Sequence, residues 1–157
     1  MCKIALVERP SRDSIWDKYK GTGVSRATDK AAAVVLVVDD VGAIVDELLT
    51  LLQLQGIVAI GGQTLAEAIA LLENAPNIRV IACDVRLDGE SGLDIVSRIG
   101  ANEALAGRVF HYVFITGDPM HAEGLRVTAP HSVLTKPVQP RKLVELIRKL
   151  LADEGDR

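Results

Sequence analysis

Five residues of this chain stand where chemistry is easiest to build. Asp39 and Asp40 close the apolar run VVLVVDD, and Asp84 ends IRVIACD. Thr116 precedes Gly117 at the end of RVFHYVFITG, and Lys136 precedes Pro137 after SVLT. Singly, each has a bland role: Asp40 an N-cap, Thr116 a turn residue, Lys136 a solvated surface charge. Three carboxylates, a hydroxyl and an ammonium at successive ends of apolar runs form a chemical set. Three carboxylates in close quarters repel one another, so protons or a cation must relieve them. Hard oxygen ligands with room for water suit Mg²⁺. With such a cation in place, an ionised Asp is a usable nucleophile toward a phosphoryl group and forms an aspartyl phosphate. The cation and a Lys then offset charge on the transferring oxygens, and a Thr hydroxyl donates to a third oxygen. Asp84, followed by the polar loop VRLDGESG, is the residue selected as phosphoacceptor.

For these residues to meet, the apolar runs must lie side by side. VVLVVDD (34 to 40) is a β-branched run of the kind buried on both faces of a sheet. Ile44, Val45, Leu48 and Leu52 then recur at helical spacing, and Gly56 supplies a left-handed stop. IVAI (57 to 60) is a second strand. Thr64 and Glu67 open the next helix as a capping box, with Leu65, Ala68, Ile69 and Leu72 on one face. IRVIAC (78 to 83) is a third strand, and Ser91 to Asp94 open a third helix with Leu93, Val96 and Ile99 inward. RVFHYVFIT (108 to 116) and SVLT (132 to 135) are the fourth and fifth strands. Between them Pro119 and Gly124 make any helix poor. Pro140 starts a last helix with Leu143, Leu146, Ile147 and Leu150 in one stripe.

Strand and helix thus alternate five times, which predicts a parallel sheet with right-handed crossovers and helices on both faces. In such a sheet ligands bind beyond the carboxyl ends of the strands, where the five residues fall.

The bulk properties agree. A chain of 157 residues suits one domain, and 48% apolar with 25% charged residues is a globular balance. No apolar run is long enough to span a bilayer, and the amino terminus does not read as a secretory signal, so membrane insertion is not expected and the predicted location is the cytoplasm. Cys2 and Cys83 match neither a disulfide framework nor a zinc site; Cys83, inside an apolar run, reads as a buried reduced thiol. Residues 1 to 33 carry a charge balance of +3 and the remainder −6. The acidic part argues against direct nucleic-acid binding, and the basic part is too sparse for a DNA-binding arm. Residues 1–33 read as a flexible or loosely docked extension, and residues 34–153 as the domain.

Residues 34 to about 152 resemble a response-regulator receiver domain, the CheY-like phosphoacceptor module of two-component signalling. VVLVVDD, CDVRLDGESG, FITG and LTKP carry the resemblance by their order and spacing. It implies an α/β, flavodoxin-like sheet of five parallel strands in the order 2-1-3-4-5. It implies that Asp84 is the phosphorylated residue, that Asp39 and Asp40 are the acidic pair and hold Mg²⁺ together with Asp84, and that the backbone carbonyl of Arg86 is a further ligand. Thr116 takes the place of the switch hydroxyl and Lys136 that of the family lysine, with Lys136-Pro137 a candidate cis peptide. No further cofactor is implied. Two positions depart from the family pattern: Asp88 stands where Pro is usual, and Val133 where Tyr or Phe is common.

The expected function is that of a phosphoacceptor rather than an enzyme, promoting only its own phosphorylation and dephosphorylation. The implied donor is a histidine kinase or a histidine phosphotransfer protein, as in a phosphorelay, with output through protein contacts and room for a homodimer. A stand-alone receiver is favoured over the receiver fragment of a hybrid histidine kinase. A non-phosphorylated pseudo-receiver is disfavoured by the complete acidic set. An Asp-nucleophile phosphohydrolase of the haloacid dehalogenase type is disfavoured because Arg86 stands where that family wants its second Asp. Gly61-Gly62, without a G-x-G-x-x-G after the first strand, is a weak nucleotide-binding signal.

Overall fold

The structure is a computed structural model that describes residues 30–118 and 127–155. The extension up to residue 29, with Cys2, and the interrupted segment around Pro119 and Gly124 lie outside the described residues. Five strands form one parallel sheet: β1 (Val35–Val38), β2 (Ala59–Gly62), β3 (Val80–Asp84), β4 (His111–Thr116) and β5 (His131–Thr135), in the order β2-β1-β3-β4-β5. Four helices are described: α1 (Gly42–Leu54), α2 (Leu65–Asn74), α3 (Asp94–Ala101) and α4 (Pro140–Gly155). The expected fold class and strand order are those observed.

Both faces of the sheet are covered. Because side chains alternate along a strand, Leu36, Val38, Ile81, Cys83 and Phe114 face one way and pack with Leu65, Ala68 and Leu72 of α2 and Ile95 and Ile99 of α3. Val35, Val37, Val80, Ala82 and Val113 face the other way, against Leu52 of α1 and Leu143, Val144, Ile147 and Leu150 of α4. Complete burial of side chains such as Leu36 and Phe114 contributes about 1.5–3 kcal/mol each. The central strands are thus held rigidly, and the residues at their ends inherit fixed positions.

Local differences from the sequence reading have physical causes. β2 lies two residues later than expected and takes in Gly61 and Gly62, paired with Val37 and Val38. A side chain on Gly61 would overlap Val45 Cγ1, so the glycine lets α1 lie close against the strand. Gly61-Gly62 is therefore a packing device inside a strand, and the nucleotide-loop reading has no place for it. In α3 the buried residues are Ile95 and Ile99, while Leu93 and Val96 are only partly buried. The helix starts at Asp94, after the Ser91 hydroxyl has accepted the Leu93 N–H at 3.3 Å. Of the expected capping box the N-cap half is observed, Thr64 accepting the Glu67 N–H at 3.1 Å, and Gly56 has the expected left-handed φ, 77°, beyond α1.

Candidate functional site

The carboxyl ends of β1, β3 and β4 and the turn after β5 meet at one rim. Asp39 follows β1 and is buried; its backbone N–H continues the ladder to the Gly62 carbonyl at 3.2 Å. Its Oδ1 accepts the Val41 N–H at 2.9 Å, which turns the chain into α1. Asp40 beside it is half-buried. Asp84 is the last residue of β3 and is 5% exposed. Thr116 ends β4 and is buried, and its carbonyl accepts the Lys136 N–H at 2.7 Å, which carries the β4–β5 pairing one residue past the strand. The Lys136-Pro137 peptide is cis.

Side chains converge as well as backbones. Lys136 Nζ lies 2.9 Å from Asp84 Oδ2 and 3.9 Å from Asp39 Oδ2. Asp84 Oδ1 accepts the Arg86 N–H at 3.2 Å. One oxygen from each of Asp39, Asp40 and Asp84 falls within 4.8 Å of the others. Thr116 Oγ1 accepts the Asp118 N–H at 3.1 Å. Each residue singled out from the sequence is thus on this rim. The Arg86 side chain is exposed, and only its backbone faces the carboxylates.

Burial pushes the Asp39 carboxyl above its ordinary range; the Val41 N–H pulls it back, and the Asp84 charge pushes it up again. For Lys136, burial works against the ammonium. The hydrogen bond to Asp84 and the charges of Asp84, Asp39 and Asp40 together outweigh it and hold the pKa above the ordinary value. Crowded, desolvated carboxylates with a single close lysine have negative charge to spare. All the donors are hard oxygens, so the set fits a small divalent cation of the Mg²⁺ type.

Three residues beside Asp84 were not read from the sequence as part of the site, Cys83 having been read only as the buried reduced thiol that it is. A side chain on Gly92 would overlap the Asp84 carbonyl, so only glycine permits the loop to pass so near the end of β3. The buried Cys83 thiol donates to the Asp84 carbonyl at 3.4 Å, and burial, with the Asp84 charge next, pushes its pKa far up. Glu90 sits in a two-residue antiparallel ribbon, Arg86–Leu87 against Glu90–Ser91, turned at Asp88 and Gly89. Gly89 has φ of 74°, a left-handed geometry suited to glycine. The Asp88-Gly89 pair is a recognisable turn signal. The contact of Glu90 with α2 has none, since it reaches 25 positions back along the chain.

A family profile for the response regulator receiver domain matches residues 35–148. The two-component response regulator PprB of Pseudomonas aeruginosa is 29% identical over 119 residues, covering 74% of this chain and 42% of that protein. The chain therefore spans less than half the length of that relative. A solved response regulator receiver protein from Pseudomonas putida is 32% identical with a TM-score of 0.63, over 76% of this chain and 98% of that one. A CheY-like response regulator receiver domain protein from Methanospirillum hungatei is 25% identical with a TM-score of 0.64, over 80% and 98%.

Proposed function

The chain belongs to the response regulator receiver domain family, and on that footing we propose that Asp84 accepts a phosphoryl group in a Mg²⁺-dependent reaction. The donor class is a phosphohistidine on a histidine kinase or phosphotransfer protein. An Asp84 carboxylate oxygen attacks phosphorus, an O–P bond forms, and the N–P bond of the donor breaks with its electron pair leaving on the imidazole. The observation that carries this reading is the Asp84 carboxylate itself. It is buried at a strand end, yet donors hold it on both sides: the Lys136 ammonium on Oδ2 and the backbone N–H of Arg86 on Oδ1.

Asp39, Asp40 and Asp84 would hold the ion, with the Arg86 carbonyl as a further ligand. In a strand the N–H and C=O of one residue point to the same side, so an Arg86 N–H aimed at Asp84 supports a carbonyl turned toward the acids as well. When bound, the ion offsets negative charge on the transferring phosphoryl oxygens. Lys136 supplies a second positive charge to those oxygens, and the Thr116 hydroxyl, on turning from Asp118, donates to another. Hydrolysis of the acyl phosphate resets the site, and the signal passes through protein contacts.

Incubation with Mg²⁺ and a small phosphodonor, followed by intact-mass measurement, tests the proposal. The wild-type chain should gain a phosphate-sized increment, and Asp84→Asn or a chelator should abolish it. Persistent labelling of the Asn variant would sink the assignment.

A further inference from the structure

The ribbon after Asp84 is too small to hold itself in place. It has two residues in each strand, and an isolated hairpin of even ordinary length is marginal in water. Yet Arg86, within it, directs its backbone N–H at Asp84. Three anchors fix the ribbon. Leu87 is buried in the core, and the Gly92 N–H closes the base of the loop on the Val85 carbonyl at 2.7 Å. The third anchor is Glu90. Its Oε2 accepts the Leu65 N–H at the first residue of α2 at 3.0 Å, and its Oε1 lies 3.3 Å from Arg98 Nη2 on α3.

We propose that Glu90 is a positioning residue for the phosphoacceptor site: its carboxylate pins the ribbon to the amino terminus of α2 and so fixes the Arg86 backbone facing Asp84. This rests on the phosphoacceptor reading above. A negative group on an orphan N–H at a helix start is electrostatically favoured, so the contact is held by the helix dipole as well as by the hydrogen bond. The Arg98 pair is more exposed, at 46% and 24% for the two side chains, and contributes little by comparison. Glu90 is paired with Leu87, the neighbour of Arg86. A ribbon released from α2 keeps Leu87 in the core but is free to rock about it, and Arg86 rocks with it.

Helix α2 provides its own control. Thr64 caps the same helix through the Glu67 N–H and has no bond to the ribbon, so Thr64→Ala weakens the α2 start alone. Glu90→Gln keeps an oxygen for the Leu65 N–H, whereas Glu90→Ala does not. The measurements are calorimetric titration of the whole chain with Mg²⁺ alone, and phosphorylation by phosphoramidate in saturating Mg²⁺. Loss of a residue that orients metal ligands costs 10-fold or more, so Glu90→Ala should bind Mg²⁺ roughly tenfold more weakly. Glu90→Gln and Thr64→Ala should stay near the wild type. Equal Mg²⁺ affinity in Glu90→Ala and Thr64→Ala, with normal wild-type phosphorylation, would overturn the role of Glu90 alone. A wild-type chain that took up no phosphoryl group would overturn the phosphoacceptor reading and this role with it.

Discussion

Asp84 is gripped through its backbone and its side chain at once. Behind it, its carbonyl takes the Cys83 thiol and lies against Gly92; in front, its carboxylate takes Lys136 and the Arg86 N–H. Asp39 has less support, with one N–H and a lysine at 3.9 Å against burial and two neighbouring acids. Its carboxyl pKa is raised in the folded state, so folding favours its neutral form. The penalty for ionising it therefore grows as pH rises from the unfolded value through the folded one, and is complete above that. Asp39→Asn keeps an oxygen for the Val41 N–H and removes the charge. In chelator, the variant should be more stable than the wild type at neutral pH, and the difference should vanish on acidification below the ordinary carboxylate value of 3.8. Urea unfolding across pH measures this; equal stability at pH 7 would contradict it. The acids, Thr116 and Lys136 were legible in the sequence because each ends an apolar run, so strand order alone brings them together. Glu90 and Gly92 were not, because their roles depend on which loop passes which strand end.

At the level of elements, the helices are held at their ends as much as along their faces. The Arg108 guanidinium donates to the Leu72, Ala75 and Ile78 carbonyls at 2.7, 2.9 and 3.3 Å and lies 4.8 Å over the Phe110 ring. It closes the carbonyl end of α2, which carries no basic residue in its own last turn. Arg108→Met keeps much of the apolar stem and takes the charged donor from those carbonyls, leaving Leu72 and Ala75 only long backbone bonds of 3.3 and 3.5 Å. Hydrogen bonds to charged groups contribute about 1.5–3 kcal/mol, so the variant should lose stability in that range. Its phosphorylation should be unchanged, since Arg108 precedes the amino end of β4 whereas Thr116 and the other site residues lie at the carboxyl ends of the strands. A loss under about 0.5 kcal/mol, the ordinary span of surface changes, would contradict the cap. The core stripes of α1, α2 and α4 were readable from periodicity. The start of β2 was not, because a glycine pair inside a strand carries no period, and only the approach of Val45 explains it.

Among the described residues the crossovers run the helices back against the strands, which separates two ends. At the end away from the site, carbonyl termini gather and arginines meet them: besides Arg108, Arg148 donates to the Gln55 carbonyl after α1 at 3.0 Å, and Arg79 to Leu151 of α4 at 3.3 Å. At the other end lie the acids, with Thr116 beside them. Thr116 Oγ1 holds the Asp118 N–H, so a hydroxyl drawn to a phosphoryl oxygen must release it. On β5, Val133 pairs with Phe114 and offers no aromatic ring to swing; the rings near Phe114 are those of Tyr112 on its own strand, 5.8 Å away, and His131 on β5, 6.1 Å away. The signal is therefore expected to leave through residues 117–131, of which 119–126 lie outside the described residues. Amide exchange with and without Mg²⁺ and beryllofluoride should change there, with faster exchange at Asp118. Constant protection across 117–131, with change only elsewhere, would contradict this route.

Borohydride reduction of the phosphorylated chain, followed by peptide mapping, tests phosphorylation at Asp84 most directly. An acyl phosphate is reduced to an alcohol, so a phosphorylated aspartate becomes homoserine. Homoserine at position 84 in chain treated with Mg²⁺ and phosphodonor, and none in chain treated with chelator, is the expected result. Homoserine at Asp39 or Asp40 instead, or nowhere in a chain that had gained the phosphate mass, would contradict it.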